Sequence, residues 1–568
     1  MSKTSQYRLY CLAASAAGIL YVAHAAAAPD DRAPAQPAVD ALFEDYDRPG
    51  APGCALGVIQ DGEFVYRRGY GQANLEYGIP LTPRSVFRTG SVGKQFTAAA
   101  VALLAQDGRL GLDDAVSKHF PEFPSWADGM TVAQLVYHTS GIRDYLELAF
   151  LAGKSDDADY YTDQWVLDLL ARQRETNFPP GEQHLYSNSG YLLLAHLVQR
   201  VSGQSLREFA QQRMFGPLGM DHTHYHDDHR EIVPGRASGY ASDGEAYRIS
   251  MTTLDLVGDG GVFTTVDDLL FWDRNFYDNR LGGGAAFIEQ LTTPGRLNDG
   301  EPLDYAFGLG VEKHRGLRMI AHGGAFVGYR AELVRFPGQR FSAAVLCNRA
   351  DAPATHLALQ VANHYLADQL GPAAGPQAAG GDRPPAPELD EAQLREYAGD
   401  YWEDKEAFAA EVRVDEGRLW AVHSPERRNE LRPLAPDAFE MTGVPAEVVV
   451  YFDRADGRII GMRRDIDGKP RGAFRPFERR RPGAAELAAY AGTYYSEELD
   501  VDYLLRPGEG VLLLQVPGQA EQELTAMFGE TFENPDYGAF EFARAADGRI
   551  TGFRLQSGRV RNLQFTRR

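Results

Sequence analysis

An internal repeat in the last third of the chain limits the possible folds more than any other feature of the sequence. The pattern Leu-x-x-Tyr-Ala-Gly-x-Tyr occurs at 394–401 and again at 487–494, an offset of 93 residues. Asp-Gly turns between alternating apolar residues accompany both copies, and such turns form hairpins because they require positive φ angles. Two copies of roughly 90 residues predict two small all-β domains, barrels or sandwiches in tandem. We expect barrels over 389–479 and 483–568.

The residues before the repeats are expected to form a domain of their own. A single hydrophobic core stops growing near roughly 250–300 residues, and this chain has 568. A stretch rich in Pro, Ala and Gly at 369–388 has the composition of a linker and predicts few contacts across it. In the front domain, 38–368, strand patterns at both ends (54–59 and 341–347) enclose helical patterns. This order predicts an α+β fold with one antiparallel sheet that contains both ends of the domain.

The N-terminus has the features of an export signal. Lys3 and Arg8 precede an apolar run at 9–22, and Ala-x-Ala cleavage sites follow within 23–28. The apolar run is shorter than the ~20 residues that span a bilayer, which favours a cleaved signal over a membrane anchor. We therefore expect residues 1–28 to be a signal peptide. The mature protein is then periplasmic or secreted, with no integral membrane segment after cleavage.

The charge and cysteine content exclude several classes of function. Asp and Glu outnumber Lys and Arg by 79 to 57, which gives a formal net charge of −22. Nucleic-acid binding rests on neutralising backbone phosphates, so we expect no nucleic-acid partner. Export would leave only Cys54 and Cys347, which are too few for a disulfide scaffold or a cysteine metal cluster. The hydrophobic cores must therefore hold the fold.

A Ser-x-x-Lys motif is the first candidate for chemistry. Ser91 and Lys94 lie at the predicted start of a helix, where residues three apart share a face. The amine can then hydrogen-bond the hydroxyl and, when neutral, accept its proton. Of the seven lysines only Lys94 has a serine three residues before it. The motif alone also fits an ordinary helix start with Ser91 as the N-cap, so the chemical interpretation depends on further motifs.

Tyr186 and Asn188 form a second motif just before another predicted helix. A tyrosine hydroxyl can shuttle a proton, and an asparagine amide can hold a substrate carbonyl. The same spacing recurs at Tyr277 and Asn279, but this copy lies at the end of an amphipathic helix, where we expect Tyr277 to pack. Only the first copy is therefore predicted to belong to a site.

A third motif, His-Gly-Gly at 322–324, lies on a predicted edge strand. Glycines at that position allow a substrate backbone to lie close against the strand. With the three motifs in this order, residues 38–365 resemble the penicillin-recognising serine hydrolases, which include class C β-lactamases, D-amino-acid peptidases and related esterases. The same Ser-x-x-Lys pair is a signature of this superfamily, in which the identity of the acylation base is disputed. The resemblance implies a serine β-lactamase-like catalytic domain, followed here by the two small barrels.

The resemblance also implies the roles of individual residues. Ser91 is expected to be the acylated nucleophile, with Lys94 and Tyr186 as the general base and acid system. The implied substrate-binding residues are Asn188, His322, Gly323, Gly324 and Ala325. The backbone N–H groups of Ser91 and Ala325 would form the oxyanion hole. No cofactor and no metal ion are implied.

The histidine triplet separates this chain from most β-lactamases, which carry Lys-Thr-Gly there. His322 with two small β-barrels resembles D-aminopeptidases and some D-Ala-D-Ala carboxypeptidases. The resemblance implies an exported hydrolase of D-amino-acid-containing peptides or small amides, with peptidoglycan fragments as further candidate partners. The alternatives are an esterase or weak β-lactamase of the same fold, and a catalytically idle peptidoglycan-binding protein. In D-aminopeptidases a loop of the last barrel enters the active site, and the candidate here is 528–537.

Two further expectations concern the front domain. In the family fold the first strand pairs with the last, so Cys54 and Cys347 either form a disulfide or pack as two buried thiols. A histidine-rich segment at 222–229 also has alternate histidines, as a zinc site could. It follows a sequence motif that has a structural role in the family, however, and we interpret it as an exposed loop without metal.

Overall fold

The computed structural model describes residues 36–372 and 387–568, apart from 157, 245, 406, 425–426, 445–447 and 467–468. The predicted signal peptide, 1–28, and most of the predicted linker, 373–386, lie outside the described residues. Within the described part of the chain, no helix is long and apolar enough to cross a membrane.

The front domain combines helices with one large sheet and three small ones, which confirms the α+β prediction. Its helices are α1 Pro37–Leu42, α2 Lys94–Gln106, α3 Val116–His119, α4 Val132–Val136, α5 Tyr145–Leu151, α6 Asp163–Ala171, α7 Asn188–Ser202, α8 Leu206–Ala210, α9 Gly216–Leu218, α10 Val266–Asn275, α11 Gly284–Thr292 and α12 Ala354–Tyr365. Its strands are β1 Cys54–Gln60, β2 Glu63–Tyr70, β3 Gln72–Asn74, β4 Ile79–Pro80, β5 Phe87–Arg88, β6 His224–Tyr225, β7 Tyr240–Asp243, β8 Ala246–Ile249, β9 Val262–Thr264, β10 Gly310–His314, β11 Leu317–Phe326, β12 Tyr329–Phe336 and β13 Phe341–Cys347.

The large sheet joins both ends of the front domain, as predicted. Its six strands are antiparallel in the order β10-β11-β12-β13-β1-β2. Cys54 and Cys347 face each other in the β1–β13 register and form a disulfide, with Cα atoms 4.0 Å apart. The sequence allowed either a disulfide or two buried thiols at these positions, and the structure contains the disulfide. Asp61-Gly62 turns the β1–β2 hairpin, and both residues adopt positive φ.

The tail forms two closed eight-stranded barrels, which confirms barrels over sandwiches. Helix α13 (Glu391–Arg395) precedes the first barrel, whose strands are β14 Gly399–Glu403, β15 Phe408–Asp415, β16 Arg418–Ser424, β17 Arg427–Ala435, β18 Ala438–Met441, β19 Val448–Ala455, β20 Arg458–Ile466 and β21 Lys469–Phe477. Helix α14 (Ala484–Tyr490) precedes the second, whose strands are β22 Gly492–Ser496, β23 Val501–Pro507, β24 Leu512–Gln515, β25 Gln522–Ala526, β26 Thr531–Asn534, β27 Gly538–Arg544, β28 Ile550–Ser557 and β29 Val560–Arg567.

The second barrel packs tightly on the front domain, contrary to the expectation of few shared contacts. Buried apolar residues of both form one continuous cluster. Within this interface Arg143 Nη1 lies 3.0 Å from each Glu498 carboxylate oxygen, and their side chains are 0% and 2% exposed. The Tyr503 hydroxyl also donates to the carbonyl of Leu151, at 2.6 Å. The composition of the linker concerns only the segment that connects the domains. It carries no information about the contacts between their surfaces, which are made by residues distant in sequence.

Candidate active site

The nucleophile candidate lies in a tight turn against the sheet. Ser91 is part of a 3₁₀ turn, Gly90–Gly93, and the α-helix itself begins at Lys94, three residues later than predicted. Helix α2 is buried around almost its whole circumference because it runs through the middle of the front domain. Lys94 is accordingly 0% exposed and lies directly beneath Ser91.

The Lys94 amine has three hydrogen-bond partners. Its Nζ lies 3.0 Å from Ser91 Oγ, 2.8 Å from Asn188 Oδ1 and 2.6 Å from the carbonyl oxygen of Asp259. The last two partners only accept, so Nζ donates to them in either protonation state. In the neutral amine the remaining lone pair therefore faces the Ser91 hydroxyl. This is the arrangement that a base needs in order to take the hydroxyl proton.

Asn188 is held by two contacts that leave one group for a ligand. Its backbone N–H donates to Asp144 Oδ2 at 2.7 Å, and its Oδ1 accepts from Lys94. Asp144 is itself fixed, because its Oδ1 accepts from the first N–H groups of α5 as the N-cap. The Nδ2 group of Asn188 is then available to donate to a substrate carbonyl, and this role stays a prediction.

Tyr186 is supported by a histidine that sequence reasoning left without a role. The ring centroid of Tyr186 lies 4.2 Å from that of His138 and 4.8 Å from Lys94 Nζ. The Nδ1 atom of His138 accepts from the N–H of Ser187, at 3.1 Å, which holds the loop before α7. Burial, with the charge of Lys94, keeps the pKa of His138 well below its usual range, so the imidazole is neutral.

Strand β11 lies directly against the nucleophile turn. A Cβ atom on Gly324 would come within 1.9 Å of the carbonyl oxygen of Thr89 and 3.1 Å of the Ser91 nitrogen. A Cβ on Gly90 would come within 2.9 Å of the Ala325 nitrogen. The backbone nitrogens of Ser91 and Ala325 are therefore neighbours, which is the spatial requirement of the predicted oxyanion hole.

This close approach gives a prediction for Gly324→Ala. The clash is with a backbone oxygen, which cannot rotate away, so β11 or the nucleophile turn must shift. We expect the rate of Ser91 acylation by a fluorophosphonate probe to fall at least about 100-fold, since small displacements of reacting groups are costly. Gly338→Ala is the matched control, because a Cβ there meets nothing within 4 Å. Equal acylation rates for both variants and the wild type would show that β11 does not support the reaction.

The His322 side chain is turned towards Tyr305. Its Nδ1 lies 2.6 Å from the carbonyl oxygen of Gly323, and its Nε2 lies 3.0 Å from the Tyr305 hydroxyl. Because a carbonyl only accepts, Nδ1 carries the hydrogen and Nε2 accepts from Tyr305. Burial and the charge of Lys94 lower the pKa of His322 to about 4. The triplet therefore supplies a neutral group at pH 7, unlike the lysine of Lys-Thr-Gly.

The predicted site residues meet at one cavity of about 860 Å³. Its lining includes Ser91, Tyr186, Asn188, His322, Gly323, Gly324 and Ala325. Lys94 is buried behind the wall of this cavity and reaches it through Ser91. The second Tyr-x-Asn copy lies elsewhere, since Tyr277 stacks under Arg340, whose guanidinium carbon is 4.5 Å from the ring centroid.

The second barrel contributes to the same cavity, but not through the predicted loop. Arg559, between β28 and β29, lines the cavity, and its guanidinium carbon lies 5.1 Å from the centroid of Tyr186. The expectation for 528–537 is wrong. Phe528 instead packs at the junction of the two barrels, 5.1 Å from Trp402 and 5.3 Å from Phe477 between ring centroids.

Asp259 is another buried group that the sequence analysis missed. Its carbonyl oxygen accepts from Lys94, and its carboxylate accepts from the Tyr145 hydroxyl at 3.0 Å. Burial raises the pKa of Asp259 above its usual value. The Gly-Gly-Val-Phe-Thr-Thr motif that follows Asp259 could have suggested that this residue lies near the site, but no spacing rule relates that motif to Lys94.

The histidine-rich segment is more buried than expected. His224 Nε2 lies 3.4 Å from His226 Nδ1, and His226 Nδ1 lies 3.9 Å from Glu231 Oε2. His226 is 2% exposed, so the interpretation as an exposed loop is wrong for this residue. Arg207 donates to both carboxylate oxygens of Glu231, at 2.7 and 2.8 Å, and so already engages the acidic member of the cluster.

Comparisons with known proteins agree with the resemblance seen in the motifs. Residues 39–366 match the Beta-lactamase family. A D-aminopeptidase of Gluconobacter oxydans (strain 621H) is 30% identical over 452 residues, which cover 79% of this chain and 80% of that protein. Penicillin-binding protein 4* of Bacillus subtilis (strain 168) is 30% identical over 411 residues, which cover 69% of this chain and 88% of that protein.

Solved structures share the fold. The octameric penicillin-binding protein homologue from Pyrococcus abyssi has a TM-score of 0.52 at 24% identity, covering 74% of this chain and 95% of its own. The structure of SurE has a TM-score of 0.50 at 24% identity, covering 77% of this chain and 98% of its own.

Proposed function

The chain belongs to the Beta-lactamase family and is a serine hydrolase of the β-lactamase and D-aminopeptidase type; from this premise we propose that it acylates Ser91 and hydrolyses D-amino-acid-containing peptides or small amides. The observation that supports this proposal is the geometry of Lys94. Its Nζ donates to Asn188 and Asp259 and keeps its third contact for Ser91. A protein that only binds its ligand has no need of a buried amine against a hydroxyl.

The proposed reaction has two steps of acyl transfer. Ser91 Oγ attacks the substrate carbonyl while its proton passes to the lone pair of the Lys94 amine. The oxygen that becomes negative is stabilised by the N–H groups of Ser91 and Ala325. The bond to the leaving nitrogen then breaks, and that nitrogen takes the proton from Lys94 through the Tyr186 hydroxyl. Water attacks the ester at Ser91 with the proton transfers reversed, which releases the acid and restores the hydroxyl.

The substrate class is proposed from the relatives and from His322. A D-aminopeptidase is 30% identical over most of both chains. Its name concerns that protein, and we extend the class of substrate to this chain as a proposal. His322 is neutral, so the triplet supplies no fixed charge for the carboxylate of a β-lactam. We therefore place β-lactams and simple esters behind D-amino-acid amides and peptides, including fragments of peptidoglycan.

Export to the periplasm or the medium is part of the proposal. It is supported by the basic and apolar N-terminal pattern at 1–28. The Cys54–Cys347 disulfide is also consistent with it, because disulfides persist in oxidising compartments.

The test combines covalent labelling with a substrate panel. Wild-type protein is expected to gain the mass of a fluorophosphonate or a fluorescent penicillin at Ser91, and the labelled band should occur in the periplasmic or culture fraction. The panel contains D-Ala p-nitroanilide, acyl-D-Ala-D-Ala, nitrocefin and p-nitrophenyl butyrate, with L-Ala p-nitroanilide as the stereochemical control. We expect the highest kcat/KM for one of the two D-alanine compounds. No label with either probe would contradict the enzyme and favour the idle binder, and a label confined to the cytoplasm would contradict export.

A further inference from the structure

Arg88 is a buried cation in the cavity wall and has no ionic partner among the residues that the structure describes. It is 6% exposed and lines the cavity, and its Nε atom has no hydrogen-bond partner in the described part of the chain. Among the described residues it forms no ion pair. Its guanidinium carbon lies 4.9 Å from the centroid of the Phe326 ring. Such a cation–π contact offsets only part of the cost of removing a charge from water.

The other arginines of the cavity are already engaged by the protein. Arg330 donates to the carbonyl oxygens of Val327 and Tyr329, at 2.9 and 2.7 Å. Arg559 Nη1 lies 3.3 Å from Asp144 Oδ2. Arg88 thus differs from both in having donors that no described residue uses.

The acidic group that acts most strongly on Arg88 is Asp259, and it forms no ion pair with Arg88 within the part of the chain that the structure describes. Asp259 acts on it at longer range, and the carboxylate of Asp259 accepts from Tyr145 instead. Burial lowers the pKa of Arg88 from its usual value, although an arginine so far above neutrality stays charged at pH 7. A buried guanidinium with free donors is suited to an anion of planar, two-oxygen geometry.

Arg88 is also held at a fixed place relative to the nucleophile. It ends strand β5, where it pairs with Phe263 of β9, and it precedes Ser91 by three residues. Three residues span at most about 10 Å of extended chain, and both residues line the same cavity, so one bound molecule can contact both. We propose that Arg88 binds a carboxylate of the substrate while Ser91 attacks the neighbouring carbonyl, an inference that rests on the proposed function of this cavity.

Two pairs of compounds distinguish the sources of that carboxylate. Acyl-D-Ala-D-Ala and its C-terminal amide test the carboxylate at the end of a peptide. The p-nitroanilides of D-Glu and D-Gln test a side-chain carboxylate. Each pair exchanges an acid for an amide of nearly the same size. We expect the wild type to favour the acid by about tenfold or more in kcat/KM in one pair, because charge-assisted contacts to arginine are strong.

Arg88→Met is the decisive variant, since it removes the charge without leaving a buried polar group. The ratio of kcat/KM for the acid to kcat/KM for the amide is expected to fall to near one, because the KM for the acid rises while kcat is unchanged. Arg88→Lys keeps a charge but loses the two-pronged geometry, so its ratio should be intermediate. Arg84→Met is the matched control, because Arg84 is exposed and does not line the cavity; its ratio should equal that of the wild type.

Calorimetric binding of the same four compounds to Ser91→Ala protein makes the result independent of turnover. If Ser91→Ala protein binds the acid more tightly than the amide and Ser91→Ala/Arg88→Met protein does not, the carboxylate site is supported. This conclusion holds even if no compound is hydrolysed, and in that case only the proposed function fails. Equal acid-to-amide ratios in wild-type and Arg88→Met protein, by both kinetics and calorimetry, would overturn the role of Arg88. A variant that merely melts at a different temperature with those ratios unchanged would show that Arg88 is structural.

Discussion

Lys94→Met is expected to reduce kcat/KM by at least about 10³-fold, and Ser91→Ala to abolish turnover, with the fold intact in both. Nucleophile and base act as a unit, so the loss of either removes most of the rate enhancement that both supply. Methionine matches the length of lysine and leaves no charge in a site that is 0% exposed. Initial rates, circular dichroism and the yield of acylated Ser91 measure the effect.

Lys313→Ala provides the control for this prediction, because Lys313 is exposed and outside the cavity. Its kcat/KM should match that of the wild type. Near wild-type kinetics for Lys94→Met would eliminate Lys94 as the base and leave Tyr186 as the candidate for that role.

Removal of the second barrel, residues 483–568, is expected to leave the front domain unfolded or aggregated. The deletion would expose the apolar cluster that both share and would leave Arg143 without Glu498. Breaking a buried ion pair by removing one partner costs about 3–5 kcal/mol. Glu498→Gln should therefore lower the free energy of unfolding by that amount in urea titrations.

The neighbouring Glu497 offers a matched control for that measurement. It pairs with Arg174 at the surface, where the two side chains are 68% and 55% exposed. Exposed pairs contribute roughly 0–1 kcal/mol, so Glu497→Gln should have little effect. A truncated front domain that stays soluble and monomeric, together with equal stabilities for the two glutamine variants, would mean that the barrel is a passive appendage.

Local spacing was sufficient to predict one contact of the candidate site. Ser91 and Lys94 lie one turn apart, so their contact follows from the geometry of the chain itself. The contact of Lys94 with Asn188 joins residues 94 positions apart and was not predicted; the motif order and the family resemblance predicted only that both residues belong to one site. The roles assigned to these residues stay predictions until the variants are measured.

Contacts that depend on the docking of whole domains could not be predicted in this way. Arg143 and Glu498 are 355 residues apart, and neither has a local pattern that marks it as an interface residue. The segment 528–537 and the turn that carries Arg559 both have the composition of a barrel loop. Which of them faces the cavity depends on how the barrel is rotated on the front domain, and no local pattern in the chain encodes that rotation.

The Cys54–Cys347 disulfide gives the front domain an unusual mechanical arrangement. It closes a covalent ring, and every candidate site residue, from Ser91 to Ala325, lies on that ring. The chain enters at one end of the bond and leaves at the other towards the barrels. A pulling force between the N-terminal leader and the linker would therefore pass from Cys54 to Cys347 through the sulfur bridge and would bypass strands β1 and β13. The ladder of hydrogen bonds between β1 and β13 would carry no shear, and the nucleophile turn would stay free of tension.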